Sequence, residues 1–233
     1  MKLKKIFVAI TTERHKVMIT FNTIDFFENL SQQDLMIALS RLKIQHEFLP
    51  KGSVVFSAGQ IRDDFAIVIS GKVIAEEYGL NEEKILLFVC ASQDLLADFG
   101  ILTRRPWKIS YRAITPVEIL RLNMQALRAP INQLEQTLLD RLYENMISAG
   151  SKLNQKILNV SLPTLRQKIL YYLQQNAPEE ILPGEYFDID LDRSGMASYL
   201  NTDRSALSKE LGKLKQEGII DFDRNHFCFC SWK

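Results

Sequence analysis

One stretch limits the possible folds of this chain more than any other. It runs from Leu191 to Leu214, L-D-R-S-G-M-A-S-Y-L-N-T-D-R-S-A-L-S-K-E-L-G-K-L. Arg193 to Leu200 is predicted to form a short helix with Met196 and Leu200 on one face, and a second helix repeats the pattern with Leu207, Leu211 and Leu214. Between them, Asn201 tolerates a left-handed backbone better than most residues, and Thr202 or Asp203 can accept from an orphan amide of the second helix. Two short amphipathic helices joined this tightly make a helix-turn-helix, with Ala197 as the small side chain where they touch. At about 100° per residue, the face opposite the leucines carries Ser205, Ser208, Lys209, Gly212 and Lys213, with Arg204 on its flank. That face has many hydrogen-bonding groups and little bulk. It fits either a solvated hairpin or a surface that reads DNA.

The residues that follow favour DNA. Glu217-Gly218 ends the helix, and Ile219 to Phe222 then faces His226 to Phe229 across Asp223-Arg224-Asn225, a two-stranded wing. A wing tip carrying Arg224 and Asn225 is placed to reach the phosphate backbone. The formal net charge is only +1, so any nucleic-acid affinity must come from locally placed cations: Arg204, Lys209, Lys213, Lys215 and Arg224.

Upstream, Ser31 can cap a helix whose apolar positions include Leu35, Ile37, Ala38 and Leu42. Glu47 to Met124 differs in kind. Val54 to Phe56, Phe65 to Ile69, Ile85 to Val89 and Val117 to Leu122 read as strands, punctuated by Lys51-Gly52, Ala58-Gly59, Ser70-Gly71 and Tyr78 to Asn81. Short strands at this spacing imply a sandwich or barrel, with a turn of helix and a loop from Phe99-Gly100 to Arg105-Pro106. After Pro130, the residues Ile131, Leu134, Leu138, Leu142, Met146, Leu153 and Ile157 form a narrow apolar seam on a long helix, and such a seam is expected to pair with a partner helix, through Leu134, Leu138, Leu142 and Met146, in preference to packing on its own domain. Ser161-Leu162-Pro163 breaks the run and places a hinge.

In this order, K-G-S-V-V-F-S-A-G, F-A-I-V-I-S-G-K-V, D-L-L-A-D-F-G-I-L and the Leu191 to Leu214 motif resemble the Crp/Fnr family, that of the cyclic-AMP receptor protein and the fumarate-nitrate regulator. The resemblance implies an α+β chain. Residues 1–124 would form a cyclic-nucleotide-binding-like β-roll (jelly roll) with N-terminal helices, 125–160 a dimerisation helix and hinge, and 161–233 a winged helix-turn-helix. It implies a homodimeric, effector-gated transcription regulator that binds a near-palindromic double-stranded DNA site and works with RNA polymerase. It also implies that Arg204, Ser205, Ser208 and Lys209 read base edges, while Thr202, Lys213 and Arg224 are expected to hold phosphates.

One part of the family pattern is altered. The family's nucleotide cassette has Gly-Glu and, some ten residues on, Arg-Ser, where this chain has Ala97-Asp98 and Trp107-Lys108. A lysine is a point charge and does not replace a bidentate guanidinium fork on phosphate, so cyclic AMP is not the expected effector. Asp98 beside Arg104, Arg105 and Lys108, with Trp107 as a flat apolar wall, suggests another small anion. The alternative is that Asp98 caps a turn and the arginines are solvated. No ligating cysteine precedes Cys90, His46 fits a strand edge better than a haem ligand, and no cofactor is expected.

Two other classes of protein fit the sequence less well. A cupin-like metal enzyme would need clustered histidines, but His15, His46 and His226 are far apart and no H-x-H pair, nucleophile elbow or phosphate loop occurs, so no metal or catalytic site is expected. A ligand-binding module acting only through a protein partner would leave the wing and the polar helix face unexplained. No run approaches a membrane span, and the apolar stretch Met1 to Ile10 is too short for a signal peptide, which predicts a cytoplasmic protein with three reduced cysteines.

Overall fold

A computed structural model describes residues 7–11, 16–80 and 83–230 of the chain. Readings that rest on Met1–Ile6, Thr12–His15 or Asn81 lie outside the described residues. In chain order the elements are β1 (Phe7–Thr11), β2 (Lys16–Thr20), α1 (Gln32–Arg41), β3 (Gln45–Leu49), β4 (Val54–Phe56), β5 (Asp64–Ser70), β6 (Val73–Tyr78), β7 (Lys84–Cys90) and β8 (Leu95–Leu96). They continue with α2 (Gly100–Thr103), β9 (Ser110–Ala113), β10 (Val117–Asn123), α3 (Gln133–Ser161), α4 (Leu165–Asn176), β11 (Tyr186–Asp188), α5 (Arg193–Tyr199), α6 (Arg204–Gln216), β12 (Ile220–Asp223) and β13 (His226–Phe229). Residues 1–77 with 89–150 form one compact unit, and residues 78–88 with 151–233 form another.

The β-roll consists of two four-stranded sheets, ordered β3-β10-β5-β8 and β4-β9-β6-β7, beside a separate antiparallel β1-β2 hairpin. Strand β10 lies between β3 and β5, pairing Ile119 with Glu47 on one side and with Val68 on the other. It is buried along most of its length because both of its edges are closed. Gly71 turns β5 into β6 with φ +86°, and a Cβ there would sit 2.2 Å from the Pro116 carbonyl, so only glycine fits. Among the described residues, no helix is long and apolar enough to cross a membrane.

Aromatic residues fill the interior. Phe56 packs edge-on against Trp107 and Tyr111, with ring centroids 4.9 and 6.2 Å apart, and the Arg62 and Arg121 guanidiniums lie 4.7 and 4.6 Å from the Phe56 centroid. A second cluster joins Phe21, Phe26, Phe27 and Phe65. Helix α1 begins as the sequence predicts, with Ser31 accepting from the Asp34 amide at 3.0 Å, and Arg41 donates to Glu135 of α3 at 2.7 Å.

The residues Leu134, Leu138, Leu142 and Met146, expected to face a partner helix, do not. Leu138, Leu142 and Met146 are 1, 0 and 6% exposed within the single chain, and Leu134 is half-buried. The seam therefore serves the chain's own core. A one-sided apolar pattern marks a face that must be covered, without saying by what. The exposed apolar residues of α3 are Tyr143, Ile147, Ile157 and Leu158.

Candidate nucleic-acid interface and effector site

Helix α5 starts at Asp192, which accepts from the Gly195 amide at 2.8 Å, and buries Met196 and Ala197. The turn follows local chemistry. Asn201 adopts φ +52°, the Thr202 amide donates to the Ala197 carbonyl at 3.0 Å, and Asp203 caps α6 by accepting from the Ala206 amide at 2.8 Å. The Ser205 hydroxyl also donates to Asp203, at 2.5 Å, and with the Ala206 amide it holds that carboxyl below its ordinary range. Leu207, Leu211 and Leu214 are buried, which turns the opposite face of α6 outward.

That outer face carries Arg204, Ser205, Ser208, Lys209 and Lys213, all exposed, while Thr202 and Gly212 are half-buried. Their present commitments differ. Ser208 donates to the Arg204 carbonyl at 2.8 Å and Lys213 pairs with Glu210 at 3.2 Å. Among the described residues, no ion pair or hydrogen bond engages the guanidinium of Arg204 or the ammonium of Lys209. Nothing lies within 4 Å of a Cβ built on Gly212, so the face is smooth as well as polar.

The wing is a three-stranded sheet, β11-β13-β12, in which Asp223 pairs with His226 and leaves Arg224-Asn225 as a two-residue tip. Strand β11 and the role of Arg193 are absent from the sequence-based reading. The Arg193 guanidinium lies 4.9 and 4.7 Å from the ring centroids of Phe222 and Phe227 and donates to the Arg224 carbonyl at 2.6 Å. Two wing phenylalanines close in space to the first basic residue of α5 are the signal for it. Lys215, counted among the local cations, is committed elsewhere. It is ion-paired with Asp221, donates to the Phe222 carbonyl at 3.2 Å, and with Tyr186 holds the Asp221 carboxyl down at about 2.

The residues expected to form an effector site are brought near one another but with different roles. Asp98 accepts from the Gly100 amide at 2.6 Å and from the Lys108 and Ile109 amides at 3.0 and 3.1 Å, so its carboxylate caps two chain turns and is largely used up. Trp107 is 1% exposed and belongs to the aromatic core, which corrects its expected role as a ligand wall. Gly100 is required beside it, since a Cβ would sit 2.9 Å from the indole. Arg104, Arg105 and Lys108 are exposed. The second of the two sequence readings, a capping Asp98 with solvated basic residues, matches the hydrogen bonds. His46 lies on edge strand β3 but is covered, with Nε2 2.6 Å from Glu118. Among the described residues, no group of three or more histidines, cysteines or carboxylates could hold a metal ion.

Comparison with known proteins matches residues 46–133 to the cyclic nucleotide-binding domain and residues 167–232 to the Crp-like helix-turn-helix domain. No curated protein matches the chain. Among solved structures, a CooA variant from Carboxydothermus hydrogenoformans superposes with a TM-score of 0.69 at 14% identity, over 88% of each chain. FixK2 from Bradyrhizobium japonicum gives 0.66 at 13% identity over 81% of this chain and 93% of its own. The c-di-GMP responsive global regulator CLP of Xanthomonas campestris gives 0.65 at 17% identity over 87% of this chain and 100% of its own. At these identities the likeness establishes the fold.

Proposed function

We propose, on the premise that this chain is a Crp/Fnr-type transcription regulator, that it acts as a homodimer placing two copies of α6 in successive major grooves of a near-palindromic site. The observation that carries this reading is the outer face of α6. Arg204 and Lys209 project there with no ion pair among the described residues, Arg204 at the helix end from which such helices reach base edges and Lys209 about a turn and a half further along. Ser205 and Ser208 supply adaptable hydroxyls beside them, while Thr202, Lys213 and Arg224 hold phosphates and fix the register. Half-sites then lie one helical turn apart, roughly 34 to 36 Å. As a DNA-binding regulator the protein works in the cytoplasm with RNA polymerase and is not an enzyme.

Dimerisation is assigned to the side of α3 that the chain leaves uncovered. Tyr143, Ile147, Gly150, Asn154 and Ile157 follow one another at spacings of four, three, four and three, the rhythm of a two-helix seam. Gly150 allows close approach because nothing lies within 4 Å of its Cβ position, and Asn154 is the kind of polar seam residue that sets register. Cyclic AMP is not the effector in this reading, since the capped Asp98 and the buried Trp107 occupy the positions of its usual ligands.

Selection of binding sites from random DNA tests the proposal. Lys209→Ala is expected to relax the consensus at one base pair and cost about 1–3 kcal/mol, whereas Lys213→Ala weakens all sequences alike and flattens the salt dependence. An unchanged consensus in Lys209→Ala removes α6 from base readout. Ile147→Glu is expected to give monomers in sedimentation; a variant that stays dimeric moves the interface elsewhere.

A further inference from the structure

Trp107 is buried against Phe56 and Tyr111 and offers no wall to a ligand, whereas the first unit contains a cleft of about 400 Å3, within the usual size of small-molecule sites. Its floor is apolar: Met124, Leu127 and Leu139, all buried. Its rim is polar and cationic, with Thr103, Arg104 and Arg128 from the roll side and Tyr143 from α3. Arg104 is set at the rim by its left-handed backbone, φ +54°, which ends α2. Arg128 is the more telling residue. One of its terminal nitrogens is ion-paired with Asp63, its side chain is 14% exposed, and its Nε is buried with no hydrogen-bond partner. A buried donor left unmet costs about 1–3 kcal/mol, and an incoming oxygen anion would relieve that cost.

Another cleft of this unit, about 280 Å3 and lined in part by Asp63, Asp64 and Arg121, lacks such a demand. Arg121 there donates to Glu47 at 2.6 and 3.0 Å and to Asp64 at 2.9 Å, so its charge is already met.

We infer that the cleft between α2 and α3 binds a small organic anion, a carboxylate or phosphate ester with an apolar body, and that this site gates the protein. The anionic group lies against Arg104 and Arg128, the Tyr143 and Thr103 hydroxyls complete its shell, and the apolar body rests on Met124, Leu127 and Leu139. Tyr143 also begins the proposed dimer seam, so an occupant bears directly on the helix through which two copies associate. The gating step, though not the binding, rests on the reading of the chain as a transcription regulator.

The test uses the full chain, with benzoate and hexanoate as probes, benzamide as the uncharged counterpart and inorganic phosphate as the anion without an apolar body. Calorimetry is expected to show saturable binding of benzoate and hexanoate, weaker binding of phosphate and none of benzamide. Arg104→Ala should weaken benzoate about tenfold, the value of one charge-assisted hydrogen bond. Thr103→Trp, at an exposed rim position, should block binding. The site is overturned if neither carboxylate binds at millimolar concentration, if benzamide matches benzoate, or if binding survives both substitutions. Fluorescence anisotropy on the selected DNA, with and without benzoate, separates the two claims. Failure to bind DNA at all sinks the regulator reading while calorimetry still judges the cleft, and DNA binding indifferent to bound benzoate sinks the gating.

Discussion

The outer face of α6 and the region around Asp98 contain similar residue types, an acid capping a turn beside exposed basic side chains, yet they are built on opposite terms. On α6 the capping acid, Asp203, meets its amide locally, and Arg204 and Lys209 are left uncommitted on an exposed surface. At Asp98 the acid is covered and bound by three amides, and the nearby Trp107 is packed against Phe56 and Tyr111. The α6 face keeps two cations available for a partner even though Ser205, Ser208 and Lys213 bond within the chain, whereas the acid at Asp98 is used wholly within the chain. The same residues in a sequence fit both cases, and only the count of satisfied hydrogen bonds separates them.

Removing Trp107 should have the largest effect. Trp107→Ala is expected to destabilise the protein by about 3–5 kcal/mol in denaturant titration, as for other large core aromatics. A loss under about 1 kcal/mol would break the comparison by showing that the roll interior is adaptable. Arg204→Ala tests the other side, with unfolding unchanged to within about 0.5 kcal/mol and DNA affinity reduced by about 1–3 kcal/mol. Equal losses of both would mean that α6 is also structural. Asp98→Ala should cost about 1–3 kcal/mol of stability by orphaning buried amides, with no change in the affinity of the chain for benzoate. A change in that affinity would return Asp98 to the binding site.

The smallest effect is a pH dependence in the second unit. Lys156 is buried, donates to the Tyr199 carbonyl and lies 4.3 Å from the Tyr199 ring centroid; burial, helped by Lys168, lowers its pKa to about 8. Between about pH 8 and the ordinary lysine range the unfolded chain keeps a proton that the folded chain has released, so stability at this site rises with pH there and its cost is fully present below. Tyr199, pushed up to about 12 by burial, acts in the opposite sense above pH 10. The stability difference between wild type and Lys156→Met should therefore shift in favour of wild type from pH 8 to pH 10. A constant difference would mean that Lys156 is hydrated.

What could be read in the sequence is what local chemistry determines. The turn from Asn201 to Asp203, the Ser31 cap and the Ser161 break depend on residues a few positions apart and form as expected, while the wing connection is one residue shorter than expected because Asp223 pairs with His226. Strand β3, Gln45-His46-Glu47-Phe48-Leu49, has no clear alternation and exists because β10, about seventy residues on, completes its ladder and supplies Arg121 to Glu47. Strand β11 is only three residues long, and only pairing with β13 reveals it. The seam on α3 was legible as apolar, but whether its own domain or another chain covers it depends on contacts distant in sequence. The outward face of α6 was legible by exclusion, since the leucines mark the inner one. The cleft beside Arg128 is formed by three separated segments, 102–104, 124–128 and 139–143, and leaves no trace in any one of them.

The hold of Arg193 on the Arg224 carbonyl bears on the heat and entropy of complex formation. Arg224 is itself in a left-handed conformation, φ +52°, and a tip of that kind is ordinarily mobile. Tied to α5 and braced on two phenylalanine rings, it meets DNA with its backbone already fixed. Association then freezes only the Arg224 side chain, and the large unfavourable entropy of segments that fold on contact is absent from this part of the interface. The encounter between wing and phosphate is that of two preformed surfaces, and its thermodynamics should be dominated by the counterions the DNA releases.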